Sequence, residues 1–263
     1  MCCPTIHARL WSTFPNDMVS DINVIWLDTV KSTNSYLSAV ASESPHGTVV
    51  ATHCQTAGRG QRGNTWEAEP GRNLTFSLLI RPNGIDASRQ FYISEAVALG
   101  IVDALRRRLA VKEDVAVKWP NDIYWRDKKI CGILIENSIM GRGIDHSIAG
   151  IGINVNQREF RSDAPNPVSI WQIIGEETPL EEFLMEVCGD IMARLAMPFG
   201  TLHDEYFYTL WGREGRTYRD TSTGELFKAR ITDVAPTGHL TLMPEYDGAV
   251  PRVYAFKEVA VML

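Results

Sequence analysis

The chain has 263 residues, 44% hydrophobic and 22% charged, which suits a globular protein with one substantial core and a smaller companion and excludes generic disorder. Lys and Arg total 26 against 32 Asp and Glu, a formal charge of −6 that argues against a general nucleic-acid binder but leaves room for a local basic pocket. With no apolar run of roughly 18 residues, no leader-like N-terminus and five scattered cysteines (Cys2, Cys3, Cys54, Cys131, Cys188), the expectation is a cytoplasmic, membrane-free protein with reduced structural thiols.

Residues 1–20 show no sustained period and read as a loose extension. The apolar run 22–27 predicts a strand, after which Ser32 or Thr33 is placed to cap a short helix reaching about residue 41. Pro45 to Gly47 turns the chain into a strand over 48–53. Residues 55–73 hold four glycines and three arginines, a flexible and locally positive loop. A strand over 74–80 and a long helix over 87–109 follow, the helix carrying Phe91, Leu99, Val102 and Leu105 at apolar positions. Its end, Arg106, Arg107 and Arg108, reads as a solvated terminus.

Strands are expected over 115–118, 123–125, 130–136 and 147–153, joined by turns too short for regular crossovers, so the sheet should be mostly antiparallel. An amphipathic helix over 179–195 is broken by Pro198 and Gly200, with a short helix over 202–211 beyond. From residue 213 short alternating segments near 217–219, 226–232, 240–243 and 252–256 suit a small β-barrel that leans on the larger domain.

Three polar constellations fall where predicted elements end. Gly58-Arg59-Gly60-Gln61-Arg62-Gly63, followed by Trp66, allows close backbone approach and offers donors to an anion, although a surface loop has the same composition. It is neither a dinucleotide-binding fingerprint nor a phosphate loop ending in Gly-Lys-Ser/Thr. Lys118-Trp119-Pro120-Asn121-Asp122, then Lys128-Lys129-Ile130-Cys131-Gly132 after a hairpin, can aim ammonium groups at phosphate. Asp122 can attract Mg²⁺, orient an amine or simply cap a turn. Gly150-Ile151-Gly152-Ile153-Asn154 lets a ligand approach a strand end, with Asn154 able to read a nucleotide edge or hold a turn. Cys131 in an apolar strand reads as packing, and His53 and Cys54 lack further metal ligands.

The ordered set Ser32-Thr33-Asn34, Gln55-x-x-Gly58-Arg59-Gly60, Lys118-Trp119-Pro120-Asn121-Asp122, Lys129-x-x-Gly132 and Gly152-Ile153-Asn154 resembles the biotin–protein ligase family, from about residue 22 to the C-terminus. The resemblance implies an α+β chain. It divides into a class II synthetase-like catalytic domain over 21–212, with a largely antiparallel sheet, and an SH3-like β-barrel over 213–263. It implies that Ser32, Thr33, Asn34 and Gln55 meet biotin's polar ring, that Gly58 and Gly132 shape the approach, and that Trp66 closes over the ligand. Arg59, Gly60, Gln61, Arg62, Lys118, Asn121, Lys129 and Asn154 fall on the nucleotide side. Lys129, Arg59, Arg62 and Asp122 carry the chemistry, and Asp122 serves Mg²⁺ or the incoming lysine.

The implied substrates are ATP and biotin, and the implied partner is a biotin carboxyl carrier protein or domain, with a homodimer compatible. Many members carry arginine where this chain has Gln61, so retention of the activated intermediate should differ here. The short N-terminal extension leaves no space for a helix-turn-helix domain, so no DNA regulation is expected. Two alternatives stay open: a lipoate–protein ligase, and a non-catalytic regulator that binds the carrier domain.

Overall fold

The structure, a computed structural model, describes residues 6–9, 22–60, 66–110, 113–161 and 166–262. An eight-stranded sheet runs in the order β1 (Ile6–Arg9), β2 (Asn23–Val30), β3 (Thr48–Gln55), β4 (Leu74–Ile80), β8 (Gly143–Ile153), β7 (Lys128–Met140), β6 (Asp122–Trp125) and β5 (Val115–Lys118). β2 and β3 pair in parallel and the other neighbours antiparallel, so the sheet is mixed but largely antiparallel, as expected. The parallel pair needs a crossover, and α1 (Thr33–Val40), capped by Ser32, supplies it. One strand falls inside the segment read as a loose extension: Ile6–Arg9 pairs with β2 and satisfies backbone groups on an otherwise open edge.

Alternation along the strands sends two sets of side chains to opposite faces. On one face Val49, Ala51, Phe76, Leu78, Ile80, Ala149 and Ile151 join the main core with α2 (Phe91–Arg108), α4 (Leu180–Leu195) and α5 (Phe199–Tyr208). On the other, Leu27, Val50, Leu79 and Ile148 form a separate small cluster with Leu37 and Ala41, edged by Ile25, Val30, Tyr36 and Val40. That small cluster covers part of the face and leaves the rest open. A further short helix, α3 (Ile170–Ile174), was not expected; a capping box between Ser169 and Gln172 starts it and Gly175, at φ 74°, ends it.

α2 is buried nearly all round because it lies between the sheet and the other helices. Small residues permit this closeness: a Cβ on Gly100 would stand 2.6 Å from the Ile191 backbone. The arginines ending α2 are not a solvated tip. Arg106 donates to the Val115 carbonyl, Arg107 pairs with Asp190, and Arg108 donates to Thr178 Oγ1 and the Glu177 carbonyl. Burial holds the Arg106 pKa below its ordinary value. α5 starts earlier than expected because Pro198, read as a breaker, caps it; a proline is tolerated where no helical N–H is yet needed.

The C-terminal residues form a five-stranded sheet in the order β12 (Arg252–Tyr254), β11 (Leu240–Pro244), β10 (Leu226–Val234), β9 (Arg216–Asp220), β13 (Val259–Val261). Among the described residues its edge strands β12 and β13 share no ladder, so the expected barrel is not closed. Phe227, Ile231, Val234, Leu240, Leu242 and Tyr254 merge with the main core. Trp119 Nε1 donates to the Gly238 carbonyl at 3.0 Å, and the Phe91 amide donates to the Pro236 carbonyl at 3.2 Å. The small sheet therefore does lean on the larger unit. No described helix is long and apolar enough to cross a membrane.

Candidate active site

The open part of the sheet face is organised in rows across the strands. Lys118 pairs with Asp122, Asp122 with Gly132, Gly132 with Gly152 and Gly152 with Thr75, so one row crosses β5, β6, β7, β8 and β4. The next row is Leu134, Gly150 and Ser77. These residues, except Ser77, line a cavity of about 1050 Å³ together with Ser32, Thr33, Asn34, Gln55, Arg59, Gly60, Trp66, Asn121 and Lys129. Tyr218, Thr221, Phe256 and Val261 wall it from the C-terminal module.

Glycine is required on this floor because other side chains lie directly on it. A Cβ on Gly152 would stand 2.4 Å from the Trp66 indole, one on Gly132 2.9 Å from the same ring, and one on Gly150 2.2 Å from Asn34 Oδ1. Trp66 thus rests on two glycines, with Lys129 Nζ 5.6 Å from its ring centroid. Its indole N–H is buried with no acceptor among the described residues. Gly58 is equally confined: a Cβ there would stand 2.7 Å from the Trp66 carbonyl oxygen.

A polar network fills the α1 side. The Thr33 amide donates to Gln55 Oε1 at 2.9 Å, and Ser77 Oγ lies 2.7 Å from Thr33 Oγ1 and 2.5 Å from Asn34 Oδ1. Asn34 spends its amide protons on the Leu134 carbonyl and Glu136 Oε2, so its Oδ1 depends on the single Ser77 hydroxyl proton. Glu136 Oε2 also receives the Arg59 guanidinium at 3.1 Å.

A charged cluster sits on the β5–β7 side. Lys129 Nζ is 2.7 Å from Asp122 Oδ1 and Lys118 Nζ is 3.9 Å from Asp122 Oδ2. Burial pushes the Lys118 ammonium below the usual lysine range; Asp122 acts against this and Lys129 adds to it. Asn121 Nδ2 fastens the turn by donating to the Ile133 carbonyl at 2.7 Å. The neighbouring Cys131 thiol is fully buried, which raises its pKa well above the ordinary value and fits packing rather than nucleophilic use.

Residues 26–154 match the profile of the biotin/lipoate A/B protein ligase family. Over that stretch the chain is similar to a biotin/lipoate A/B protein ligase domain. The biotin–[acetyl-CoA-carboxylase] ligase of Paracoccus denitrificans is 36% identical over 134 residues, covering 49% of this chain and 55% of that one. The bifunctional ligase/repressor BirA of Bacillus spizizenii is 34% identical over 137 residues, 52% of this chain and 41% of that one. The chain therefore spans about half the length of the curated relatives it matches. The fold is that of the Aquifex aeolicus biotin protein ligase solved with biotin and ATP, at a TM-score of 0.74 and 24% identity over 91% of this chain and 98% of that one. The Leishmania major biotin protein ligase in complex with biotinyl-5-AMP aligns at a TM-score of 0.62 and 20% identity, over 88% and 98% of the two chains.

Most of the expected site residues meet in the one cavity, with four exceptions. Gly58 packs against the Trp66 backbone and is not part of the lining. Gln61 and Arg62 lie outside the described residues. Asn154 is buried and turned away: its amide donates to the Val168 carbonyl at 3.1 Å and approaches the Lys129 carbonyl at 3.5 Å, which fits holding the start of β7. Ser77 and Glu136 join the site's network although neither falls in one of the motifs. Each carried a signal, a polar residue on the same alternate face as Thr75 or as Gly132 and Leu134.

Proposed function

We propose that the domain activates biotin with ATP, as biotinyl-AMP, and passes the biotinyl group to one lysine of a biotin carboxyl carrier domain. The observation that carries the reading is the row from Lys118 through Asp122, Gly132 and Gly152 to Thr75. It brings phosphate-seeking ammonium groups and a glycine-floored, polar-edged slot into one cavity.

In the first step a carboxylate oxygen of biotin bonds to the α-phosphorus of ATP while the bond from that phosphorus to the β-bridging oxygen breaks, and pyrophosphate leaves. Two anions must approach, so the fixed positive charge of Lys129, Lys118 and Arg59 offsets their repulsion and the charge that develops. Thr33, Gln55 and Asn34 are the polar groups that hold the ring end of biotin, and Trp66 shields the slot from water. In the second step the neutral amine of the carrier lysine attacks the acyl carbon, the bond to the AMP oxygen breaks, and the amine's proton passes to solvent. Asp122, on the cavity wall, accepts a hydrogen bond from the amine and orients it.

Mg²⁺ accompanies the triphosphate as part of the substrate. The residues do not fit a resident ion. Asp122 is the carboxylate lining the described cavity and its oxygens already face two ammonium groups, and no described group of three His, Cys, Asp or Glu could hold a metal. This reading therefore gives Asp122, paired with Lys129 and Lys118, the orientation of the amine instead of the metal-ligand role expected of it.

We assign residues 21–212 to the catalytic domain and 213–263 to a module that closes the cavity and faces the carrier. The SH3-like reading of that module rests on its five short antiparallel strands. The test is exchange of labelled pyrophosphate into ATP. Exchange should require biotin and be lost in Lys129→Ala; exchange with lipoate alone would indicate a lipoate ligase, and none with either acid a non-catalytic binder.

A further inference from the structure

Arg59 is the arginine of the Gly-rich loop that faces the cavity among the described residues, and its partner is not a substrate group but Glu136 of β7. Gly132, Leu134 and Glu136 alternate onto the same face of β7, so the carboxylate stands on the open sheet face beyond the glycine floor. One oxygen, Oε2, takes both the Asn34 amide at 2.7 Å and the Arg59 guanidinium at 3.1 Å. Asn34 is itself buried and held by the Leu134 carbonyl and Ser77. A fixed buried amide thus places the carboxylate, and the carboxylate places the guanidinium. Gln55, four residues before Arg59, is tied to the Thr33 amide of the same helix turn. The entry to the loop is therefore fastened to the α1 N-terminus twice, once directly and once through Glu136.

We propose that Glu136 is a positioning residue that holds Arg59 at the cavity wall before an anionic ligand arrives. The side chains of Arg59 and Glu136 are 46% and 44% exposed, and an ion pair so exposed is weak. That weakness suits a hand-over: the pair biases the arginine's position yet releases it to a phosphate, which offers a multiply charged, desolvated partner. Without Glu136 the ordering of Arg59 would have to accompany ligand binding, and affinity would fall. The kinetic consequence rests on the ligase reading; the positioning itself does not.

The test compares wild type, Glu136→Gln, Arg59→Ala and the double variant. Glutamine keeps an acceptor oxygen for Asn34 and removes the charge that holds Arg59. In the ligand-free protein, trypsin cleavage after Arg59, followed by intact mass, should run about two- to fivefold faster in Glu136→Gln, the range expected for loss of an exposed ion pair. Its melting temperature should stay near that of wild type. In pyrophosphate exchange, Glu136→Gln should raise the KM for ATP by a similar factor with kcat retained, and the double variant should be no worse than Arg59→Ala alone. Unchanged cleavage, a lowered KM for ATP, or effects that multiply in the double variant would each overturn the proposal. If Glu136→Gln melts early, Glu136→Asp carries the test, and its retained charge should keep cleavage slow. Absence of exchange in wild type would refute the ligase reading and leave the cleavage result to decide the positioning.

Discussion

Ser77→Ala removes one oxygen from a fully buried position on β4 and should be costly for its size. Asn34 commits its amide protons to Leu134 and Glu136, so its Oδ1 has the Ser77 hydroxyl as its donor, at 2.5 Å. The substitution leaves that buried acceptor unpaired, which costs about 1–3 kcal/mol. For a chain of this size each kcal/mol lowers the melting temperature by about 2–4 °C, so the expected fall is about 2–12 °C. Because Thr33 loses its contact with Ser77 as well, the affinity for biotin should drop by more than the affinity for ATP. Differential scanning calorimetry of both proteins, with titration of each ligand, reads both quantities. A melting temperature within about 1 °C of wild type, together with unchanged biotin affinity, would refute the proton assignment in this network.

Gly100→Ala places a Cβ 2.6 Å from the Ile191 backbone and should separate α2 from α4, costing about 1–3 kcal/mol or more in denaturant unfolding, whereas an unchanged midpoint would mean the helices slide apart freely. Lys118 loses its proton at lower pH than an ordinary lysine, chiefly through burial, so ATP affinity should decline on the alkaline side before the usual lysine value of about 10.4. Lys118→Arg, whose guanidinium stays charged throughout that range, should shift that limb upward, and an unmoved limb would contradict the role given to its charge. The same depressed pKa means that the folded state binds this proton less readily, so Lys118 penalises folding below its folded pKa and the penalty fades as pH rises toward the unfolded value. Trp119→Phe keeps a ring beside Phe256 but loses the bond to the Gly238 carbonyl, and should raise the KM for ATP more than that for biotin because Lys118 and Asp122 flank it. Equal rises would show that the link to the C-terminal module does not act through that turn.

Apolar runs and turn residues made most strands and helices legible, because alternation and helical period are local properties. The motif residues Ser32, Gln55, Lys118, Asp122 and Lys129 also proved to be neighbours, since each ends an element on the same face of one sheet. What stayed hidden depends on pairings between distant segments. β4 lies beside β8, and only that register puts Ser77 opposite Gly150 and beneath Asn34. Glu136 gains its meaning from Arg59, 77 residues earlier. Arg106 and Arg108 look like a solvated tip until the Val115 and Glu177 carbonyls arrive from elsewhere in the chain. Asn154 was read toward the ligand, but the carbonyls of Lys129 and Val168 claim its amide.

The central claim is that this cavity joins biotin to a protein lysine at the expense of ATP. Intact mass of a biotin carboxyl carrier domain, incubated with the protein, ATP, Mg²⁺ and biotin, tests it most directly. One biotinyl group should be added, dependent on ATP and absent when the carrier's target lysine is replaced. An unmodified carrier, with folded partners and demonstrated biotin binding, would contradict the account.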